Sequence, residues 1–123
     1  MEIEVSIGEI VDKLSILKIK KNNIIDEKKL ININKEYLYL HEIVFAKLNI
    51  EMSDFYNMVL INEILWNVED NIRNKERNKE FDDDFIEMSR SVYITNDKRS
   101  EIKRKINEKY SSDFIEEKSY KPY

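Results

Sequence analysis

The sequence predicts an all-α fold, an antiparallel four-helix bundle with a short docked C-terminal segment. Two observations predict this class. The 123 residues include only one glycine, Gly8, and one proline, Pro122, so almost none of the chain interior carries the residues that most readily break helices. Apolar residues also recur at steps of three and four along four successive stretches, which is the spacing of one helix face. At this length we expect a single domain over residues 1–123.

Capping residues and apolar repeats predict the first two helices. Ser6 and Glu9 fit the S-x-x-E capping box, which starts a first helix over about residues 7–24. Asp26 is the expected cap of a second helix, whose apolar stripe ends near Asn49. These two helices account for the first part of the bundle.

The same signals predict the third and fourth helices. Ser53 is the expected cap of a third helix over about residues 54–76. The fourth helix should follow a cap at Asp82 or Asp83 and end at about residue 109. It begins with an acidic run and ends with a basic one, as the helix dipole favours. Because the connections are short, we expect successive helices to lie side by side and antiparallel.

The two chain ends carry weaker signals. Residues 1–5 alternate in polarity but are too few for a sheet, so we expect an N-terminal arm. Residues 111–123 form a C-terminal tail in which Phe114, Ile115 and Tyr120 are expected to dock on the bundle. The apolar stripes of the helices are broad enough to leave some apolar surface uncovered, which is compatible with a homodimer.

Composition excludes several classes of function. A net charge of -4 opposes nonspecific binding to nucleic acid, which needs clustered cations. No apolar stretch reaches the roughly 20 residues of a membrane span, so we expect no membrane and a cytoplasmic location. Without cysteine and with His41 as the one histidine, zinc sites and cysteine nucleophiles are excluded. Gly8 alone cannot build a phosphate-binding loop. We expect no cofactor, with carboxylate-held Mg²⁺ as the one credible metal.

The most informative departure from the apolar pattern lies on the predicted fourth helix. Thr95 and Arg99 occupy its apolar stripe, with Asn96 beside them. A buried guanidinium is costly unless a carboxylate or a bound anion compensates it. One interpretation is an internal bridge from Arg99 to Glu69 or Asp70 that sets the helix register. The other is a polar pocket that holds a small anionic or hydroxylated ligand.

Three further side chains have both a structural and a functional interpretation. Asp12 and Lys13 adjoin the apolar Leu14 of the first helix, but we expect them to reach solvent. Trp66 lies at helical spacing on the third helix, where a tryptophan is more often part of the core than a ligand platform.

Four blocks of sequence carry a resemblance to a known family. They are residues 6–20 (SIGEIVDKLSILKIK), 64–73 (ILWNVEDNIR), 90–107 (RSVYITNDKRSEIKRKIN) and 116–120 (EEKSY). In these blocks the chain resembles an uncharacterised helical family, domain-of-unknown-function family 6165. The resemblance implies a protein of bacteria or phages, in some cases encoded near or fused to glycosyltransferase and surface-polysaccharide genes.

The resemblance also implies a set of polar motif positions. Carried onto this chain, they are Asp12, Lys13, Glu69, Asp70, Arg73, Asn96, Asp97, Arg99, Lys103, Glu117, Lys118, Ser119 and Tyr120. All of them except Asp97, Glu117 and Ser119 are our candidate ligand-binding residues. No residue is assigned a catalytic role.

Three functions compete. The leading hypothesis is a non-catalytic helical module that binds a small anionic or carbohydrate-related ligand, or a partner enzyme, in a surface-glycan or glycosyltransferase setting. The first alternative is a Mg-dependent all-α nucleoside triphosphate pyrophosphohydrolase-like enzyme, in which Glu69 and Asp70 would hold the metal. The second is a chorismate-mutase-like bundle, in which Lys13, Arg73 and Arg99 would converge on a dicarboxylate. A purely structural role also remains open.

Overall fold

A computed structural model describes all 123 residues, Met1–Tyr123, and its regular structure is entirely helical. The all-α prediction is therefore confirmed. The four helices are α1 (Ile7–Asn23), α2 (Glu27–Glu42), α3 (Met52–Arg77) and α4 (Asp83–Lys109). A π-helical turn over Ile43–Lys47 continues α2 toward α3. None of the helices combines the length and the apolar character required to cross a membrane.

Three of the four predicted helix starts are correct. Ser6 accepts a hydrogen bond from the backbone N–H of Glu9 at 3.2 Å, and Asp26 caps α2 in the same way. Asp82 rather than Asp83 caps α4, since its side chain accepts from the N–H of Phe85 at 2.9 Å. The sequence predicts these caps because each hydrogen bond joins residues three apart in the chain.

The predicted cap of the third helix is wrong. α3 begins at Met52, after Glu51, and has no side-chain cap. The backbone N–H of Glu51 donates instead to the hydroxyl of Tyr110, at 2.9 Å, at the far end of α4. A hydrogen bond to a residue distant in sequence, and no local side-chain cap, therefore accompanies the start of α3.

The helices pack unevenly. α1 and α3 run parallel, and α4 runs antiparallel to both and packs against them. α2 packs on α1, but none of its Cα atoms comes within 8 Å of a Cα atom of α3 or α4, and it has no buried residue. The side-by-side arrangement expected for successive helices therefore fails between α2 and α3. The core is made by nine residues, eight of them from α1, α3 and the segment that joins α2 to α3: Val11, Leu14, Val44, Ile50, Phe55, Met58, Val59, Ile61 and Ile106.

Gly8 permits the close contact between α1 and α4. A Cβ atom at this position would lie 2.6 Å from the backbone oxygen of Lys103. The N–H of Gly8 donates to the side-chain oxygen of the buried Asn107 at 2.6 Å. This contact brings the first two turns of α1 against the second half of α4, where the polar residues of the apolar stripe lie.

The C-terminal tail docks through polar contacts rather than apolar ones. Phe114, Ile115 and Tyr120 are 50%, 42% and 76% exposed, so they bury little surface. Glu116 instead pairs with Lys103 at 2.8 Å. A tail without helical periodicity cannot present a continuous apolar stripe, so ion pairs attach it.

Some apolar surface stays uncovered, as expected from the broad stripes. On α2, Ile31, Leu38 and Tyr39 are 69%, 67% and 63% exposed. A homodimer remains a prediction.

Candidate functional site

An ion pair between α1 and α4 lies at the centre of the candidate site. Nε and Nη2 of Arg99 donate to the two carboxylate oxygens of Asp12, at 2.9 and 2.5 Å. The Asp12 side chain is 3% exposed and that of Arg99 is 28% exposed. The internal bridge to a carboxylate therefore exists, but its partner is Asp12 and neither Glu69 nor Asp70.

The prediction that Asp12 reaches solvent is wrong. The close contact at Gly8 turns the next turn of α1, which carries Asp12, toward the stripe of α4 that carries Arg99. Arg99 then supplies the two donors that a buried carboxylate requires. Burial of Asp12 is thus a consequence of how α1 and α4 approach each other.

Two polar residues that the sequence analysis missed complete the network. The side-chain amide of Asn62 donates to Asp12 at 2.8 Å and to the hydroxyl oxygen of Ser15 at 2.7 Å. The Ser15 hydroxyl donates to the backbone oxygen of Asp12 at 2.6 Å. A signal was present, since Asn62 interrupts the apolar stripe of the third helix between Met58 and Leu65, much as Arg99 does on the fourth.

The Asp12 pair keeps Arg99 charged. Hydrogen bonding to Asp12 raises the pKa of Arg99 above its ordinary value, although burial acts in the opposite direction. The same bidentate geometry uses two of the three guanidinium nitrogens. Arg99 is therefore a neutralised, oriented group rather than a free cation waiting for an anion.

A cleft opens beside this pair between α1, α3 and α4. Its volume is about 470 Å³. Trp66 lines the cleft and is only partly buried, so the prediction that it belongs to the core is wrong. The other lining residues are Ile16, Ile19, Asn62, Leu65, Glu69, Asp70, Arg73, Asn96 and Arg99.

A smaller cavity of about 190 Å³ adjoins the cleft on the side of the C-terminal tail. Its lining residues are Asn96, Asp97, Arg99, Ser100, Lys103, Lys118 and Tyr120, of which Asn96 and Arg99 also line the cleft. Lys103 is mostly buried there and pairs with Glu9 and Glu116, both at 2.8 Å. Together the two cavities collect eight of the ten candidate ligand-binding residues.

Ion pairing shifts the pKa values of the groups that join the tail to α4. Hydrogen bonds from Lys103 and Lys118 lower the pKa of Glu116 to about 2. Burial lowers the pKa of Lys103, but its hydrogen bonds to Glu116 and Glu9 outweigh this effect and leave the pKa raised. Glu116 and Lys103 therefore stay ionised at neutral pH.

Comparison with known proteins shows the family of the chain. The sequence model of one family, the family of unknown function DUF6165, matches residues 1–123. The chain belongs to this family. No curated protein and no solved structure matches the chain.

The remaining candidates of this DUF6165 protein include one that lies apart from the cleft. Lys13 is 60% exposed, as expected, and pairs with Glu36 of α2 at 2.9 Å. It lines a separate cavity of about 300 Å³ on the other side of the Asp12–Arg99 pair. Arg73 does line the cleft, 72% exposed and 3.7 Å from Glu69. The three cations of the chorismate-mutase-like hypothesis therefore do not converge on one cavity.

The DUF6165 protein offers few carboxylates for a metal. No group of three or more histidine, cysteine, aspartate or glutamate side chains is arranged to share an ion. Glu69 and Asp70 both line the cleft, but Glu69 is paired with Arg73. The Mg-dependent alternative would therefore rely on these two side chains, one of which is already in an ion pair.

Proposed function

We propose that this protein is a non-catalytic binding module whose α1–α3–α4 cleft takes a small, polyhydroxylated, carbohydrate-related ligand. The observation that carries the proposal is the lining of this cleft, which combines the partly buried Trp66 with planar polar side chains. A sugar presents both apolar C–H faces and closely spaced hydroxyl groups. An aromatic ring beside oriented amides, carboxylates and guanidinium groups complements both.

Charge pairing in the cleft favours a hydroxylated ligand over a strongly anionic one. Arg99 is neutralised by the buried Asp12, and Arg73 lies 3.7 Å from Glu69. Asp70 adds a further negative charge to the lining. A multiply charged anion would have to compete with these carboxylates for the same cations, whereas a neutral polyol can bond to both partners of a pair.

The network behind the cleft supports binding by orienting its polar groups in advance. Asn62 uses its amide hydrogens on Asp12 and Ser15, which leaves its carbonyl oxygen as an acceptor. Asp12 holds Arg99 by two nitrogen atoms along one edge of the guanidinium group. Groups fixed in this way lose little conformational freedom when a ligand binds. The surface-glycan setting implied by the family resemblance agrees with such a ligand.

The single tryptophan makes the proposal directly testable. Because Trp66 is the one tryptophan of the chain, its fluorescence reports only on the cleft. We expect a neutral or uronic-acid sugar from a panel of monosaccharides and short oligosaccharides to change this fluorescence in a saturable way. Isothermal titration calorimetry gives the Kd of each sugar.

A matched pair of variants separates the cleft from the rest of α3. Asp70→Asn removes an exposed carboxylate from the cleft lining, and we expect Kd to rise about tenfold, the effect of losing one charged hydrogen bond. Glu63→Gln makes the same chemical change at an exposed position of α3 outside the cleft, and should leave Kd within about twofold. If no sugar perturbs Trp66, or if both variants behave alike, the proposed function is wrong.

A further inference from the structure

A further cavity lies on the outer side of α4, under the end of the C-terminal tail. Its volume is about 490 Å³, and it shares only Asn96 with the sugar-binding cleft proposed above. Its other lining residues are Ser89, Val92, Tyr93, Asp97, Tyr120, Lys121 and Tyr123. We propose that this cavity binds a methylated, quaternary ammonium group.

Aromatic rings form the walls of the cavity. Tyr93 of α4 and Tyr123 of the tail have ring centroids 5.3 Å apart and planes inclined at 74°. Tyr120 contributes a third ring to the same lining. Two rings inclined nearly at a right angle direct their faces differently, and the electron-rich face of an aromatic ring attracts a cation placed within about 6 Å.

A carboxylate supplies the charge that such a cation needs. Asp97 lines the cavity and accepts a hydrogen bond from the Tyr123 hydroxyl at 2.5 Å. No lysine or arginine forms an ion pair with Asp97, in contrast to the neighbouring Arg99 and Lys103, which both have carboxylate partners. This hydrogen bond also raises the pKa of Tyr123 to about 12, so its hydroxyl stays a donor at neutral pH. Asp97 thus combines an uncompensated negative charge with a role in holding one wall.

The ring faces of this cavity are unoccupied by cations of the protein. Two lysines lie over tyrosine rings, Lys21 over Tyr37 and Lys109 over Tyr110, at 4.7 and 5.5 Å. Neither ring belongs to the cavity. Lys121 lines the cavity, but its ammonium group lies over none of the three rings. A quaternary ammonium group fits here better than a primary one, because it is weakly hydrated and has no N–H donors to satisfy.

The test compares choline with its neutral carbon analogue 3,3-dimethyl-1-butanol, which has the same shape and no charge. Two-dimensional NMR of the full chain follows the tyrosine ring signals and the Trp66 indole signal. We expect choline to shift the Tyr93 and Tyr123 signals saturably, in about the millimolar range for an open site, and to leave Trp66 unchanged. The neutral analogue should bind at least about tenfold more weakly.

Variants identify the groups responsible. Asp97→Asn keeps a hydrogen-bond acceptor for Tyr123 and removes the charge, so Kd for choline should rise about tenfold. Tyr93→Ala removes one wall and should abolish saturable binding. Tyr39→Ala, at an exposed tyrosine of α2, is the control and should have no effect. Far-UV circular dichroism verifies that each variant is folded.

Each contrary outcome has a distinct meaning. Equal affinity for choline and the neutral analogue would mean that the cavity binds only apolar surface, and it would overturn the proposal. Shifts at Trp66 alone would place choline in the cleft, and unchanged affinity in both Asp97→Asn and Tyr93→Ala would remove the site. Because the sugar test depends on Trp66 and this one on the tyrosines, either proposal can fail without the other.

Discussion

Replacing Asp12 by asparagine tests whether the buried pair holds α1 against α4. The substitution keeps the size of the side chain, removes its charge and places an NH₂ group where an oxygen accepts from Arg99. Asn62 also loses a charged acceptor. Arg99 would then retain a positive charge with no carboxylate hydrogen-bonded to it, in a largely buried position.

The expected loss of stability follows from the burial of the two partners. Removing one member of a fully buried ion pair typically costs about 3–5 kcal/mol. Because the Arg99 side chain is 28% exposed, water can solvate part of its charge after the substitution. We therefore expect the free energy of unfolding to fall by about 2–3 kcal/mol, a large share of the roughly 5–15 kcal/mol of a typical domain.

Urea unfolding followed by far-UV circular dichroism measures this loss. The slope m of the unfolding free energy against urea concentration should be the same in the wild type and the variant, which verifies that their native and denatured states are comparable. Lys13→Ala is the matched control, since the neighbouring Lys13 is 60% exposed and should cost less than about 1 kcal/mol. A double variant that also carries Arg99→Gln should cost less than the sum of the two single changes. If Asp12→Asn costs no more than Lys13→Ala, or if the double variant is additive, the pair does not hold the two helices together.

Two further predictions concern the contacts of α4. Gly8→Ala should lower the free energy of unfolding, measured in urea, by about 1–3 kcal/mol, because the new Cβ would lie 2.6 Å from the backbone oxygen of Lys103. This loss should outweigh the better helix propensity of alanine, and a gain in stability would contradict the prediction. The tail should detach as pH falls from about 4.5 to about 2, since a carboxylate with a lowered pKa contributes stability above its ordinary pKa and loses it down to its folded one. NMR shifts of the tail amides should report this transition in the wild type and not in Glu116→Gln, and identical pH profiles would disprove the role of Glu116.

Local signals made most of the fold predictable. The caps at Ser6, Asp26 and Asp82 each involve a backbone N–H group three residues away, so their chemistry is complete within one turn of helix. The start of α3 was not predictable in this way. The backbone N–H of Glu51, the residue before α3, is satisfied by Tyr110, a contact that exists only after α3 and α4 have packed.

The candidate site was partly predictable for the same reason. An arginine on an apolar stripe indicates that a carboxylate or an anion must lie nearby, and Arg99 does have such a partner. The sequence could not identify Asp12 as that partner. On periodicity alone Asp12 falls at the edge of the α1 stripe, and Glu69 and Asp70 are equally placed on α3.

Composition and periodicity were enough to establish four helices, their approximate limits and the need to compensate the charge of Arg99, because each depends on residues within a few turns of one another. The choice of Asp12 as the partner, the position of Trp66 in a cleft and the attachment of the tail by Glu116 depend on the rotation and separation of α1 and α4. The rotation and separation of these two helices are set where α1 meets α4 at Gly8. The contacts there join residues about a hundred positions apart, such as Gly8 and Asn107, which share a hydrogen bond. Helical periodicity carries no information about such contacts, since rotating a broad apolar stripe by a fraction of a turn leaves its pattern unchanged.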